Sequence, residues 1–434
     1  MTGTRWGMNV TKWWQQTWDV EQWRQAWKDF DLALLLLVIG LVSIGILSIY
    51  STRTQSSYWM QQSVMAAMGL GIVAIVSRIP YDIWLRWHWV TYGITIALLV
   101  SVMVVGVSGG GAERWIMVAG FKVQPSEFAK IGAIISLAAV LHHLPIRYFT
   151  QLGVVVALLA PPWLLIFLQP NLGTALVFVA IAAGMTFWGG ARGSWLLLLL
   201  SPAVAAVLYA IYLNTELEWM LWAWLLWAMA MGALAVWQFP WRRAGLLMFG
   251  LANLLAGQLG QIGWSILKPY QRDRLIVFLN PEADPLGTGY HLIQSKIAIG
   301  AGGLTGRGYL QGTQTQLDFI PEQHTDFIFA GVGEEWGFIG SAIVILLYWL
   351  LFLRLIVIAQ SARDRFGSLI AVGVFSMLLF QTVVNLGMTI GLAPITGLPL
   401  PFMSYGRSAL LTNFIAMGLV ESVAKYRERT TFFT

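Results

Sequence analysis

Asp326 follows the run Pro321-Glu322-Gln323-His324-Thr325 and directly precedes a long apolar stretch. Two chemistries suit that position. An aspartate at a helix start caps free backbone amides. A carboxylate drawn partly out of water instead has a raised pKa and serves as a general base. Glu334, eight residues on, falls on roughly the same helical face and about 12 Å deeper. Glu322, His324 and Asp326 alternate along the chain, a spacing that suits a metal ion only weakly without a fixed backbone. A second constellation lies in Gln124-Pro125-Ser126-Glu127-Phe128-Ala129-Lys130. Pro125 and Ser126 mark a helix start. Glu127 and Lys130 are three apart and share a face, so the pair either neutralises itself or lines a cavity and orients a ligand. The sequence has no P-loop, no zinc-protease helix and no serine nucleophile elbow, and its five His form no ligand cluster by spacing.

The elements that hold these residues follow from composition. Of 434 residues, 58% are hydrophobic and 11% charged, where a soluble protein carries roughly 25% charged residues. Lipid must replace water over much of the exterior. Many of the 23 Trp and 13 Tyr sit at the edges of apolar runs, where amphipathic rings lie in a bilayer. Without Cys, disulfides and thiol chemistry are excluded. The net charge of +6 is spread over short loops rather than gathered for nucleic acid. A crossing takes about 20 apolar residues. Candidate spans are 32–50, 58–77, 89–107, 127–144, 151–168, 172–189, 194–213, 218–239, 243–266, 327–359, 367–392 and 408–424. The span at 327–359 is too long for a simple crossing, so part of it should project or tilt. The expectation is an all-α polytopic membrane protein.

Basic residues orient the spans. With the N-terminus in the cytoplasm, the inner loops hold Arg78, Arg86, Arg147, Arg192, Arg242, Arg243, Arg363 and Arg365, and the tail over 425–434 adds Lys425, Arg427 and Arg429. Both termini then lie inside, and residues 267–326 form an extracytoplasmic loop. That loop is basic all the same, with Lys268, Arg272, Arg274, Lys296 and Arg307, which suits an anionic ligand. Its glycines (Gly300, Gly302, Gly303, Gly306, Gly308) read as a flexible stretch, with a phosphate nest as the weaker alternative. The Pro- and Gly-rich loop over 393–407 reads as rigid. Residues 1–30 lack a cleavable signal peptide and read as a Trp-rich amphipathic helix on the inner surface.

Several long motifs resemble one family. They include Arg114-Trp115-Ile116, Gln124-Pro125-Ser126-Glu127, Gln169-Pro170-Asn171-Leu172-Gly173-Thr174, Tyr270-Gln271-Arg272 and Asp284-Pro285-Leu286-Gly287. Further along come Gln294-Ser295-Lys296, Gly312-Thr313-Gln314, Pro321 to Phe327, and Pro399-Leu400-Pro401 leading into Ser404-Tyr405-Gly406. In these the chain resembles the SEDS proteins (shape, elongation, division and sporulation) of the RodA and FtsW type, over roughly residues 30–427, with the Gly-Thr-Gln run nearer RodA than the division branch. The resemblance implies a peptidoglycan glycosyltransferase for elongation and shape in the bacterial cytoplasmic membrane. It would polymerise lipid II, on its undecaprenyl pyrophosphate carrier, into glycan strands at the outer face. A flippase for the precursor and a non-catalytic scaffold are the alternatives. The implied partner is a class B penicillin-binding protein, a transpeptidase.

Through the resemblance, Asp326 matches the catalytic Asp, which sets the base above the cap. Arg114, Arg272 and Lys296 become candidates for the pyrophosphates, Glu127 and Lys130 for orienting the cavity, and His324 for binding substrate. A divalent cation, Mg or Mn, is compatible with the chemistry, with no legible ligand set. The chain departs from the family at Asn171, often Asp, and at Arg407, usually Gly. It also departs in having about twelve spans where the family has about ten, residues near 215–241 reading as an inserted hairpin in the domain over 31–424.

Overall fold

The computed structural model describes residues 30–427 apart from 110–111, 119, 216, 282–283 and 285–286. The Trp-rich segment over 1–29 and the last residues of the tail lie outside the described residues. The helices are α1 (Leu32–Thr52), α2 (Tyr58–Val76), α3 (His88–Val105), α4 (Pro125–His143), α5 (Leu152–Leu168), α6 (Leu172–Trp188) and α7 (Gly193–Thr215). They continue with α8 (Glu218–Gln238), α9 (Arg242–Ile266), α10 (Pro269–Leu279), α11 (Thr288–Gly302), α12 (Ile328–Gln360), α13 (Arg365–Ile390) and α14 (Arg407–Lys425). Each of the twelve expected spans coincides with one of these helices.

Among the described residues, nine helical segments are long and apolar enough to cross a membrane. The other three spans have a physical reason to differ. Helix α6 is only 17 residues long. Helix α4 packs against α3, α5, α6, α13 and α14, and 15 of its 19 residues are buried. Protein rather than lipid surrounds it, so it can carry Ser126, Glu127, Lys130 and Ser136 in place of a fully apolar surface. Helix α14 likewise buries Asn413, Glu421 and Ser422. The centre of the bundle is therefore α4 with α13, whose apolar window is 67% buried.

Caps fix the helix ends. Asp31 accepts from the Leu34 amide at 3.2 Å, Asp364 from Gly367 at 2.8 Å and Asn171 from Thr174 at 3.4 Å. Between α3 and α4 lies an antiparallel sheet of β1 (Val107–Gly109), β2 (Ala112–Val118) and β3 (Phe121–Val123), in that order. Val107 faces Trp115 and Ile116 faces Val123. The spans expected from sequence leave this stretch unassigned, and β2, Ala112-Glu113-Arg114-Trp115-Ile116-Met117-Val118, shows no polar–apolar alternation that would mark a strand.

Two further features differ from expectation. Helix α12 is not one continuous helix. It breaks at Gly337, whose φ of 65° and ψ of −157° are open essentially to glycine alone. The segment after α11 plugs the break. Arg307 and Gly308 amides donate to the Glu334 and Glu335 carbonyls at 3.0 Å each, and Phe338 and Ile339 amides donate to Gly303 and Leu304 at 2.9 and 3.1 Å. A Cβ on Gly306 would collide with the Glu335 carbonyl. The glycine run is thus neither flexible linker nor phosphate nest but a fixed backbone partner of α12.

The second difference concerns the two helices expected over 215–241. Residues 215–241 hold only α8, and the other arm of the hairpin is α9, reaching Ile266. Helices α7, α8 and α9 pack on one another. Asn253 binds them together: its amide donates to Ser201 Oγ at 3.0 Å, and the Trp224 indole donates to its carbonyl at 3.3 Å.

Candidate functional site

Asp326 sits in a tight turn. The amides of Thr325, Asp326 and Phe327 converge on the Glu322 carbonyl at 3.1, 3.1 and 3.5 Å, and Glu322 itself adopts a φ of 51°. From α13, the Asn385 amide donates to the carbonyls of Asp326 at 2.9 Å and Leu398 at 2.8 Å. The turn and the 393–406 loop are therefore held by one buried side chain. The carboxylate does not cap α12: the cap position is Phe327, with no side-chain bond to the helix. Among the described residues Asp326 has no side-chain hydrogen bond. It faces Gly397, where a Cβ would lie 3.4 Å from Asp326 Oδ2 and 3.6 Å from Arg274 Nη1. Gly397, at φ 71°, keeps that space open.

Burial pushes the Asp326 carboxyl up to about 6, with the Arg274 guanidinium pulling it down and the Glu322 carboxylate adding to the rise. The residue is nevertheless only half-buried. A group of this kind is mostly ionised at neutral pH and still basic enough to take a proton.

Arg274 is the residue that motif reading passed over, counted only among the basic residues of its loop. It lies four residues after Tyr270 on α10, a spacing that puts both on one face, and its guanidinium stands 5.6 Å from the Tyr270 ring. Tyr270 connects it to Arg114 on β2. The Arg114 guanidinium donates to the Tyr270 hydroxyl at 2.6 Å, to the Gln169 carbonyl at 3.3 Å and to the Pro170 carbonyl. Burial works against the Arg114 charge, as does Arg274 beside it. A narrow cleft lined by Arg114, Asn171, Tyr270, Arg274 and Thr396 runs between these elements. Among the described residues neither arginine has a salt bridge within 4 Å; the cleft holds both cations, with Arg274 beside the Asp326 carboxylate and Arg114 reached from it through Tyr270.

The other candidates lie as follows. Asn171 caps α6, and its amide donates to Ser126 Oγ at 3.3 Å, joining α6 to α4. Glu127 and Lys130 pair at 2.7 Å with side chains 4% and 0% exposed, closed on each other one residue from that junction. Arg272 turns away, donating to the carbonyls of Leu267 at 3.0 Å and Ser265 at 2.7 Å at the end of α9. Lys296 lies across Gly391, the left-handed cap of α13; a Cβ there would come 2.6 Å from its Nζ. Cations favour such a helix end. His324 stacks on Tyr58 with centroids 4.7 Å apart, and its carbonyl accepts the Tyr405 amide at 2.9 Å. Glu334 points to the Gly-Thr-Gln turn, accepting from the Gln314 and Thr315 amides at 2.8 and 2.9 Å and the Thr315 hydroxyl at 2.5 Å.

The structure thus sets Arg274 beside Asp326, links Arg274 to Arg114 through Tyr270, and places Arg272 and Lys296 at helix ends. Among the described residues no three His, Asp or Glu side chains converge as a metal site. The alternating Glu322, His324 and Asp326 do not supply one.

The family model for cell cycle proteins of the FtsW, RodA and SpoVE type matches residues 27–225 and 220–429. The chain is 39% identical over 424 residues to the peptidoglycan glycosyltransferase RodA of Treponema pallidum (strain Nichols), covering 91% of this chain and 97% of that protein. It is 35% identical over 400 residues to the peptidoglycan glycosyltransferase MrdB of Escherichia coli (strain K12), covering 92% and 94%. Among solved structures it resembles a chain of a peptidoglycan synthase complex described as coordinating polymerisation and crosslinking, with a TM-score of 0.69, 31% identity and coverage of 92% and 99%. It also resembles the rod shape determining protein RodA of Thermus thermophilus, with a TM-score of 0.60, 26% identity and coverage of 92% and 98%.

Proposed function

The chain belongs to the FtsW, RodA and SpoVE family and is a multi-pass membrane peptidoglycan glycosyltransferase, and we propose that it polymerises lipid II with Asp326 as general base. The observation that carries this is the Asp326 carboxylate: held by its backbone, free of side-chain hydrogen bonds among the described residues, and facing Arg274 at a cleft shared with Arg114.

In the reaction the 4-hydroxyl of the acceptor N-acetylglucosamine attacks the anomeric carbon of the lipid-linked donor strand. The new carbon–oxygen bond forms as the bond to the diphosphate breaks. The hydroxyl proton passes to Asp326, and undecaprenyl diphosphate leaves with the bonding pair. Arg114 and Arg274 meet the charge that grows on the diphosphate, where fixed cations lower the barrier most. Glu127 and Lys130 act as a buried strut, holding the start of α4 so that Ser126 and Asn171 line up under the cleft. Arg272 and Lys296 contribute by fixing the ends of α9 and α13.

The orientation follows from the arginine pattern: both termini in the cytoplasm and Asp326 at the outer face of the cytoplasmic membrane. The proposed partner is a class B penicillin-binding protein, which would cross-link the emerging strand; the likeness to a complex that couples polymerisation and crosslinking supports it. The test is purified protein given lipid II in detergent. Glycan strands longer than the disaccharide support the enzyme. Lipid II carried across vesicle membranes without polymer would support a flippase, and neither outcome a scaffold.

A further inference from the structure

Asp326 faces Arg274 across Gly397, while His324, two residues earlier, enters a different cluster. Its ring stacks on Tyr58 at 4.7 Å and 4°, and Tyr405 lies 4.7 Å from Tyr58 and 5.8 Å from His324. The Tyr405 hydroxyl donates to Gln61 Oε1 at 2.6 Å and accepts from Arg407 Nε at 3.1 Å. The Arg407 guanidinium stands 5.8 Å from the ring of Phe121 on β3, which is 52% exposed. Arg407 is thereby aimed through Nε and one ring face. Its two terminal nitrogens have no partner among the described residues, and no carboxylate pairs with it. It opens α14, where the helix macrodipole disfavours a cation, so the helix start itself gives no reason for a positive charge there.

A guanidinium held by one nitrogen, with its terminal fork free, is a bidentate receptor for a carboxylate or phosphate. The aromatic and amide groups around it are those that receive sugar rings and their hydroxyls. Glycan polymerisation takes two lipid-linked molecules at once, and the Arg114–Arg274 cleft accounts for the diphosphate of one. Building on the proposed function, we propose that Arg407, with Tyr405, Gln61 and Phe121, forms a second substrate subsite, which binds an oxyanion of the other lipid-linked saccharide. The two subsites then flank the single turn that carries Asp326, joined to the second through the Tyr405 amide and the His324 carbonyl.

The test is the lipid II concentration dependence of polymerisation by full-length protein bearing Arg407→Ala or Arg407→Lys. For Arg407→Ala, the half-saturating lipid II concentration should rise at least about tenfold, the scale of one lost charge-assisted contact, with turnover at saturation within about twofold of wild type. Arg407→Lys should recover part of the loss, because a point charge replaces the fork. Two competitors separate the sources of the oxyanion. Inhibition by undecaprenyl diphosphate that weakens in Arg407→Ala identifies the diphosphate. Inhibition by a soluble disaccharide-pentapeptide that weakens instead identifies the peptide carboxylates. An unchanged concentration dependence in Arg407→Ala, or a loss confined to turnover, would overturn the subsite. Failure of the proposed function would show differently, as wild-type protein making no polymer at all.

Discussion

In the proposed mechanism, Asp326 and the two charges beside it set the pH dependence of polymerisation. Its carboxyl, at about 6, must be ionised to accept the hydroxyl proton, so polymerisation should fall about tenfold per pH unit below that value. Glu322 raises this pKa and Arg274 lowers it. Glu322→Gln should therefore move the acid limb to lower pH, and Arg274→Gln should move it higher while also slowing turnover. A pH–rate profile in which both variants keep the wild-type limb would detach the limb from Asp326. Asp326 stood out in sequence as a candidate because it lies within a long distinctive motif, Pro321 to Phe327. Arg274 was less so: among five basic residues in one loop, only the three-dimensional approach of α10 to β2 and Gly397 distinguishes it from Arg272, two positions earlier and turned the other way. The closed pairing of Glu127 with Lys130 was one of two outcomes left open by their spacing, and the burial of α4 decided it.

The long spans were legible as elements because twenty apolar residues have few other uses. What escaped was structure made by backbone contact between elements. The longest strand of the β1–β3 sheet, β2, lacks the polar–apolar alternation that marks a strand. The break in α12 hides inside an apolar run because Gly337 differs from its neighbours only in what its missing Cβ permits. Gly337→Ala places a side chain in a region open essentially to glycine, at a cost on the order of 1–3 kcal/mol, and against the Gly306 amide. Its thermal denaturation midpoint and folded yield in detergent should both drop. Gly300→Ala on α11 meets nothing within 4 Å and should leave the midpoint unchanged or slightly raised, since alanine is the better helix former. Equal behaviour of the two variants would show that the plug between residues 303–308 and α12 is not a stabilising element.

At the scale of the whole molecule, the proposed topology has twelve crossings, in which an added α8–α9 hairpin would leave the Asp326 turn on the side opposite the termini, since two added crossings preserve parity. A reporter fused after residue 216 should read as extracytoplasmic and one after Arg243 as cytoplasmic; a common side for both would remove the hairpin from the membrane. A class B penicillin-binding protein should co-purify with the full-length chain from native membranes, and repeated recovery without one would count against that partnership. The Trp-rich segment ahead of α1 and the apolar belt around α7–α9 were visible in composition, but composition does not say what they touch. The claim on which the rest depends is that this bundle polymerises lipid II through Asp326, and the direct measurement is lipid II polymerisation by purified Asp326→Asn protein beside wild type. The substitution keeps size and removes basicity, so the variant should insert, retain its partner and polymerise at least about a hundredfold more slowly. Near-wild-type polymerisation by a well-inserted Asp326→Asn protein would contradict the account.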